Sequence, residues 1–208
     1  MDKSFKTILW HHPRPYLTEV ELAILLTGTA DSRYGKVKRG LAQGDLLRIR
    51  RGLYSLAHRK KDDNKPHPFE LAQHIYGPSY ISLESALSFH QLIPEAVYTT
   101  TSVSIKRTKT FLTPLGNFSF QRLPMENFYL QVEIIQENGH PFFMAKPWKA
   151  ICDYVYCYKK NWVNVEPLSD NLRIHIDALP LLRTEEAQCL DDYYVSARVS
   201  RFLKGVQQ

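Results

Sequence analysis

Apolar and polar positions divide the first 57 residues into short elements, each closed by Pro or Gly. Ser4 to His11 reads as a short helix that Pro13 and Pro15 end. Pro15-Tyr16-Leu17 is then extended, because proline disfavours helix around itself. Thr18-Glu19-Val20-Glu21 fits a capping box, with Thr18 as N-cap and Glu21 at the third helical position. Val20, Leu22, Ala23, Leu25 and Leu26 make the helix that follows mostly apolar, so it is expected to be packed, with Gly28 as its C-cap. A turn over Thr29 to Asp31 leads into a basic helix. Tyr34, Val37 and Leu41 give that helix an inward stripe, while Ser32, Arg33, Lys36, Arg39, Gly40 and Gln43 point outward. Gly44 ends it. Leu46 to Arg50 reads as a strand with Arg48 and Arg50 on one face and Leu47 and Ile49 on the other. Arg51-Gly52 turns it, and Leu53 to Leu56 returns. Helix, helix, helix, hairpin is the order of a winged helix-turn-helix.

From His58 to His67 the chain has no apolar residue and mixes both charge signs, which marks a linker. Beyond Pro66 the pattern changes. Pro68–Tyr76 and Leu83–Phe89 read as short helices. Four β-like runs, VYTTTSVSI, TFLTPL, FSFQRL and FYLQVEII, fill residues 97–135 and suggest an antiparallel meander, with Phe142-Phe143-Met144 as an edge strand. Trp148 to Tyr158 is a strong helix, with Ala150, Ile151, Tyr154, Val155 and Tyr158 at helical spacing. Leu172 to Ile176 leaves helix and strand open. Asp191 to Leu203 reads as one terminal helix, packed through Tyr194, Ala197, Val199 and Phe202. The expected fold is α+β. A winged helix-turn-helix over 1–57 and a linker over 58–67 precede a C-terminal domain over 68–208, with helices packed on an antiparallel sheet.

Charge sharpens this picture. Residues 1–65 carry 14 Lys/Arg against 7 Asp/Glu, a net +7; residues 66–208 carry 13 against 14, a net −1. A positive field confined to the first third suggests a polyanion partner for that part. Seven Lys/Arg lie between Arg33 and Arg51, against the single acid Asp45. At the start of a recognition helix, Ser32, Arg33 and Lys36 are the candidates for reading base edges, since Arg matches guanine bidentately and Ser is permissive. Arg39 and Gln43, further along, are expected on phosphates. Arg48, Arg50 and Arg51 are expected to hold the backbone or a minor groove, fixing register more than sequence. Lys106, Arg107 and Lys109, between two strands, read as a solvated loop.

Other chemistry finds little purchase. The three cysteines, Cys152, Cys157 and Cys189, form no Cys-x-x-Cys pair and read as packing residues of a reduced, cytoplasmic protein. The opening MDKSFKTILWHH has too short an apolar run for a signal peptide, and no stretch approaches the roughly 20 apolar residues of a membrane span. Asp62-Asp63 and Asp191-Asp192 are adjacent pairs, which diverge on any regular element and follow no Gly-Ser turn, so a nucleic-acid-processing enzyme is disfavoured. Ser82, Glu84, Ser85 and His90 lack a nucleophile elbow, and Ser82 reads as an N-cap. No histidine pair has metal-ligand spacing, and no glycine-rich phosphate loop occurs. No catalytic residue, metal or cofactor is assigned. A ligand-sensing regulator is the alternative, its effector lined by Tyr76, Tyr80, Phe89, Phe118, Phe120 and Tyr129, although aromatics at alternating strand positions more often form simple core.

Four segments carry a family resemblance: LLRIRRGLYSL (46–56), YISLESALSFHQLIPE (80–95) followed by Thr99-Thr100-Thr101, AKPWKAICDYVY (145–156) and SARVSRFL (196–203). In order and spacing the chain resembles the AbiEi-type antitoxins of bacterial abortive-infection systems. The resemblance implies a winged helix that represses its own operon, binding double-stranded operator DNA with inverted repeats. It also implies a C-terminal domain that antagonises a nucleotidyltransferase-type toxin without a stable complex. One position departs from the family, which commonly has an acidic residue after the proline of the third segment. Here that residue is Trp148.

Overall fold

The computed structural model describes residues 3–60 and 65–207. Its N-terminal unit runs α1 (Lys3–His11), β1 (Tyr16–Thr18), α2 (Glu19–Leu25), α3 (Ala30–Ala42), β2 (Leu46–Arg50) and β3 (Leu53–Leu56). The three strands form one antiparallel sheet in the order β1-β3-β2. The capping box forms as expected. Thr18 Oγ1 accepts the Glu21 N–H at 3.3 Å, and the Glu21 carboxylate accepts the Thr18 N–H at 2.8 Å. α3 begins earlier than expected, at Ala30, because Thr29 caps it by accepting the Ser32 N–H at 3.2 Å.

This small sheet separates two cores. Leu17, Leu46, Tyr54 and Leu56 join Phe5, Leu9, Leu22, Leu26 and Val37 beneath the three helices. Tyr16, Ile49 and Leu53 turn the other way and belong to the large C-terminal core. Strand alternation puts neighbouring residues on opposite faces, so one short sheet serves both units. The stretch expected to act as a separating linker therefore joins two units that are packed together. Residues 61–64, in its middle, lie outside the described residues.

The C-terminal unit runs α4 (Pro68–Tyr76), β4 (Ser79–Ile81), α5 (Leu83–Phe89), β5 (Thr99–Ser104), β6 (Lys109–Thr113), β7 (Gly116–Arg122), β8 (Val132–Glu137), β9 (His140–Ala145), α6 (Pro147–Cys157), α7 (Glu166–Leu172), α8 (Thr184–Tyr194) and α9 (Ala197–Val206). Its sheet corrects the expected meander. The order is β6-β7-β5-β4-β9-β8, with β5–β7 and β4–β9 parallel and the other neighbours antiparallel. Phe142 to Met144 therefore sits inside the sheet, and β8 and β6 are the edges. β4 is three residues long, all buried, and too short to show a period. β5 is nearly buried on both faces, which is why its Thr/Ser/Val run does not alternate.

Two helices differ from the sequence reading. α7, for which no helix was expected, ends at Leu172 and so takes in only the first residue of the ambiguous 172–176 stretch. The expected terminal helix is broken into α8 and α9 at Val195, which has φ of 43° and is exposed. Among the described residues no helix is long and apolar enough to cross a membrane.

Candidate nucleic-acid interface

α3 packs through Val37 and Gly40. A Cβ on Gly40 would lie 3.1 Å from the Phe5 ring, so α1 sits directly on that glycine, which was expected to point outward. Counting back four residues from Val37 gives Arg33, which is half-buried, and Tyr34 falls off the stripe at 64% exposed. Tyr34 is thus an outward residue of α3, where an inward one was expected. α2 shows the same effect. Only Leu22 of α2 and the capping Leu26 are buried, while Val20 and Ile24 are 70% and 77% exposed, contrary to the packed helix expected.

Six of the eight candidate contact residues are exposed: Ser32, Arg39, Gln43, Arg48, Arg50 and Arg51. Arg33 and Lys36 are half-buried. Arg33 Nη1 donates to the Gly28 carbonyl at 2.7 Å, so its guanidinium is folded back over the turn that precedes α3. Ser32 stands at the start of α3 and Gln43 is its C-cap, so the two are separated by the length of the helix.

The ribbon is less regular than its sequence suggests. Arg48 lies opposite Tyr54 and Arg50 lies opposite Leu53, with a bulge between them. Opposed residues share a face, so the bulge sends Arg48 to the helix side and Arg50 to the C-terminal side. Their expected common face is lost. Arg50 Nε and Nη2 donate to the His74 carbonyl at 3.2 and 3.0 Å, and Nη1 donates to the Arg51 carbonyl at 3.2 Å. The turn itself is held by the Glu19 N–H, which donates to the Gly52 carbonyl at 2.9 Å, and Gly52 has φ of 78°. Arg33 and Tyr34 of α3 and Tyr54 of β3 line one hollow together with Glu19 of α2.

The remaining polar groups named from the sequence are engaged elsewhere. Asp191 accepts the Ser200 hydroxyl at 3.1 Å and Asp192 accepts the Gln188 amide at 2.8 Å; the Asp62-Asp63 pair lies outside the described residues. Lys106 donates to the Gly77 carbonyl and its ammonium lies over the Tyr76 ring, so this loop is tied down. Tyr80, Phe118 and Phe120, expected as effector-pocket residues in the alternative reading, are closed core. Ser82 stands at the N-cap of α5 but makes no capping bond.

Its hydroxyl belongs to a cluster that sequence reasoning missed. Asp153 Oδ2 accepts Ser82 Oγ at 2.7 Å and the Tyr80 hydroxyl at 3.0 Å. Asp153 Oδ1 accepts Lys149 Nζ at 2.8 Å and the Tyr194 hydroxyl at 2.6 Å. Burial lowers the Lys149 pKa, and the Asp153 carboxylate works against that shift. Serine, lysine and tyrosine together suggest proton chemistry, but Ser82, Lys149 and Asp153 have no solvent exposure, so the cluster is closed off from solvent. Their i, i+4 spacing on α6 was legible; their burial was not. No model of a known protein family matches this chain, and no curated protein matches it.

Proposed function

We propose that the protein is a transcriptional repressor that binds duplex DNA through a winged helix-turn-helix over residues 1–57. α3 is its reading helix and the β2–β3 turn its wing. One observation carries the proposal. Six of the eight candidate contact residues are exposed, along α3 and on the β2–β3 ribbon, in the part of the chain that holds the net positive charge. Ser32 and Lys36 are its base-reading residues, with Arg33 able to join them only by leaving Gly28. Arg39, Gln43, Arg48 and Arg51 hold phosphates. The resemblance to AbiEi-type antitoxins extends the proposal to autoregulation and to antagonism of a nucleotidyltransferase-type toxin by the C-terminal unit.

The test is a gel-shift titration against the DNA upstream of the protein's own gene, with scrambled duplex as competitor and two salt concentrations. A specific, salt-sensitive shift that Lys36→Ala/Arg39→Ala abolishes supports the proposal. A shift that the scrambled duplex removes equally well rules out sequence reading. The antitoxin role is tested separately, by growth rescue when this chain is co-expressed with a nucleotidyltransferase encoded beside it.

A further inference from the structure

α4 ends against the N-terminal unit with the carbonyls of its last turn lacking helical partners. The helical partner of the His74 carbonyl would be the N–H of residue 78, and that residue is Pro78, which has none. Arg50 supplies the missing donors from β2, with its guanidinium at the negative end of the helix. The imidazole of the same His74 faces β1. Its Nε2 lies 3.0 Å from the Tyr16 hydroxyl, which donates to Glu70 Oε1 at 2.6 Å. A hydroxyl whose proton is committed to Glu70 can only accept from His74. The ring therefore carries a proton on Nε2, and protonation would add the second at Nδ1. Glu70 Oε2 is in turn 2.7 Å from His140 Nδ1. A cavity of about 370 Å³, lined in part by Arg14, Glu70, Gln73 and His74, gives solvent access to this junction.

We propose that His74 is a proton-operated latch on the wing: the neutral ring keeps Arg50 docked on α4, and protonation frees Arg50 for a duplex phosphate. The inference rests on the DNA-binding reading above.

Charged and titratable groups face the ring from each neighbouring element. These are Arg14 and Tyr16 at β1, Glu21 on α2, Arg50 on β2 and Glu70 on α4 itself, with His140 of β9 behind Glu70 and His67 at the start of α4. Burial lowers the His74 pKa, Glu70 and Glu21 oppose it, and Arg14 and Arg50 reinforce it, leaving it below that of an ordinary histidine. The docked arrangement is thus fully favoured above the ordinary value of about 6.5 and loses that advantage as pH falls below it. A protonated ring would face two guanidinium groups. Arg14 is anchored by the Glu21 carboxylate, whereas Arg50 is held by carbonyl oxygens, so Arg50 is the group that leaves.

The experiment follows the Arg50 Nε–H and the His74 ring by NMR in the free full-length protein from pH 7.5 to pH 5, with Arg50→Lys assigning the arginine signal. The expected result is that slow exchange of the Arg50 Nε–H is lost with the His74 midpoint and persists over the whole range in His74→Gln. Three outcomes overturn the proposal: His74 remains neutral at pH 5, His74 titrates while Arg50 is unchanged, or His74→Gln loses the protection at the same pH. If the variant folds poorly, the wild-type titration decides by itself. Operator binding is then measured against salt at pH 7.5 and 5.5. The slope should steepen by roughly 0.9 at the lower pH in the wild type and not in Arg50→Ala; equal steepening in both also overturns the latch. Absence of DNA binding at both pH values would defeat the DNA reading and leave the docking itself to be judged by NMR.

Discussion

Replacing Lys149 with Met leaves the Asp153 carboxylate buried without its cation. Both side chains have no exposure, and the ammonium is 2.8 Å from Oδ1. It is also 2.8 Å from the Tyr194 hydroxyl and 4.3 Å from the centre of the Tyr193 ring. Removing one partner of a buried pair costs about 3–5 kcal/mol. Met approximates the volume of the lysine stem, so little cavity cost is added. The hydroxyls of Tyr80, Ser82 and Tyr194 continue to donate to Asp153, which places the expected loss at about 3–4 kcal/mol. For a chain of this size that is a fall of roughly 6–16 °C in melting temperature. Urea unfolding followed by far-ultraviolet circular dichroism at pH 7 measures it. Asp153→Asn should cost less, because burial already lowers the Lys149 pKa and the amine can shed its proton. That variant's stability should rise with pH above 7, since its unfolded state binds the extra proton. The double variant Lys149→Met/Asp153→Asn should recover stability relative to Lys149→Met. A loss under about 1 kcal/mol for Lys149→Met would refute the claim that the ammonium compensates Asp153.

Four further outcomes are expected. A Cβ on Gly205 of α9 would overlap the Val163 carbonyl, a backbone-to-backbone contact with no side chain to give way, so Gly205→Ala should lose about 3 kcal/mol or more in a thermal melt. Thr18→Ala should cost about 1 kcal/mol by removing the α2 cap. Despite burial, hydrogen bonds from Thr18 and the charge of Arg14 hold the Glu21 pKa below the usual carboxylate value. Its contribution is therefore present above about pH 4.5 and lost as pH falls below it, and acid titration of Glu21→Gln should lack that loss. At pH 7.5, Arg48→Ala and Arg51→Ala should each reduce the salt slope of operator binding by roughly 0.9, while Arg50→Ala leaves it unchanged.

Local chemistry determined much of this molecule directly. The Thr18 capping box, the helices over Pro68–Tyr76 and Leu83–Phe89, the Arg51-Gly52 turn and the concentration of positive charge before residue 66 all follow from short-range residue order. They depend on spacing, caps and turn residues within a few positions of one another, which a sequence displays. The mixed sheet, the inward place of β9 and the three-residue β4 were decided by pairing between residues far apart in the chain. Tyr34 and Ile24 have the apolar character of core residues, but among the described residues no element covers them, and burial belongs to a pair of surfaces. Arg50 makes the same point for function. Its residue type suits a phosphate, but a one-residue bulge turns it onto α4, where Pro78, twenty-eight positions away, offers the His74 carbonyl no N–H. The sequence determined which side chains carry the proposed DNA contacts. The tertiary structure decided which are free to do so, because a donor satisfied at an orphaned carbonyl is unavailable elsewhere until that contact is broken.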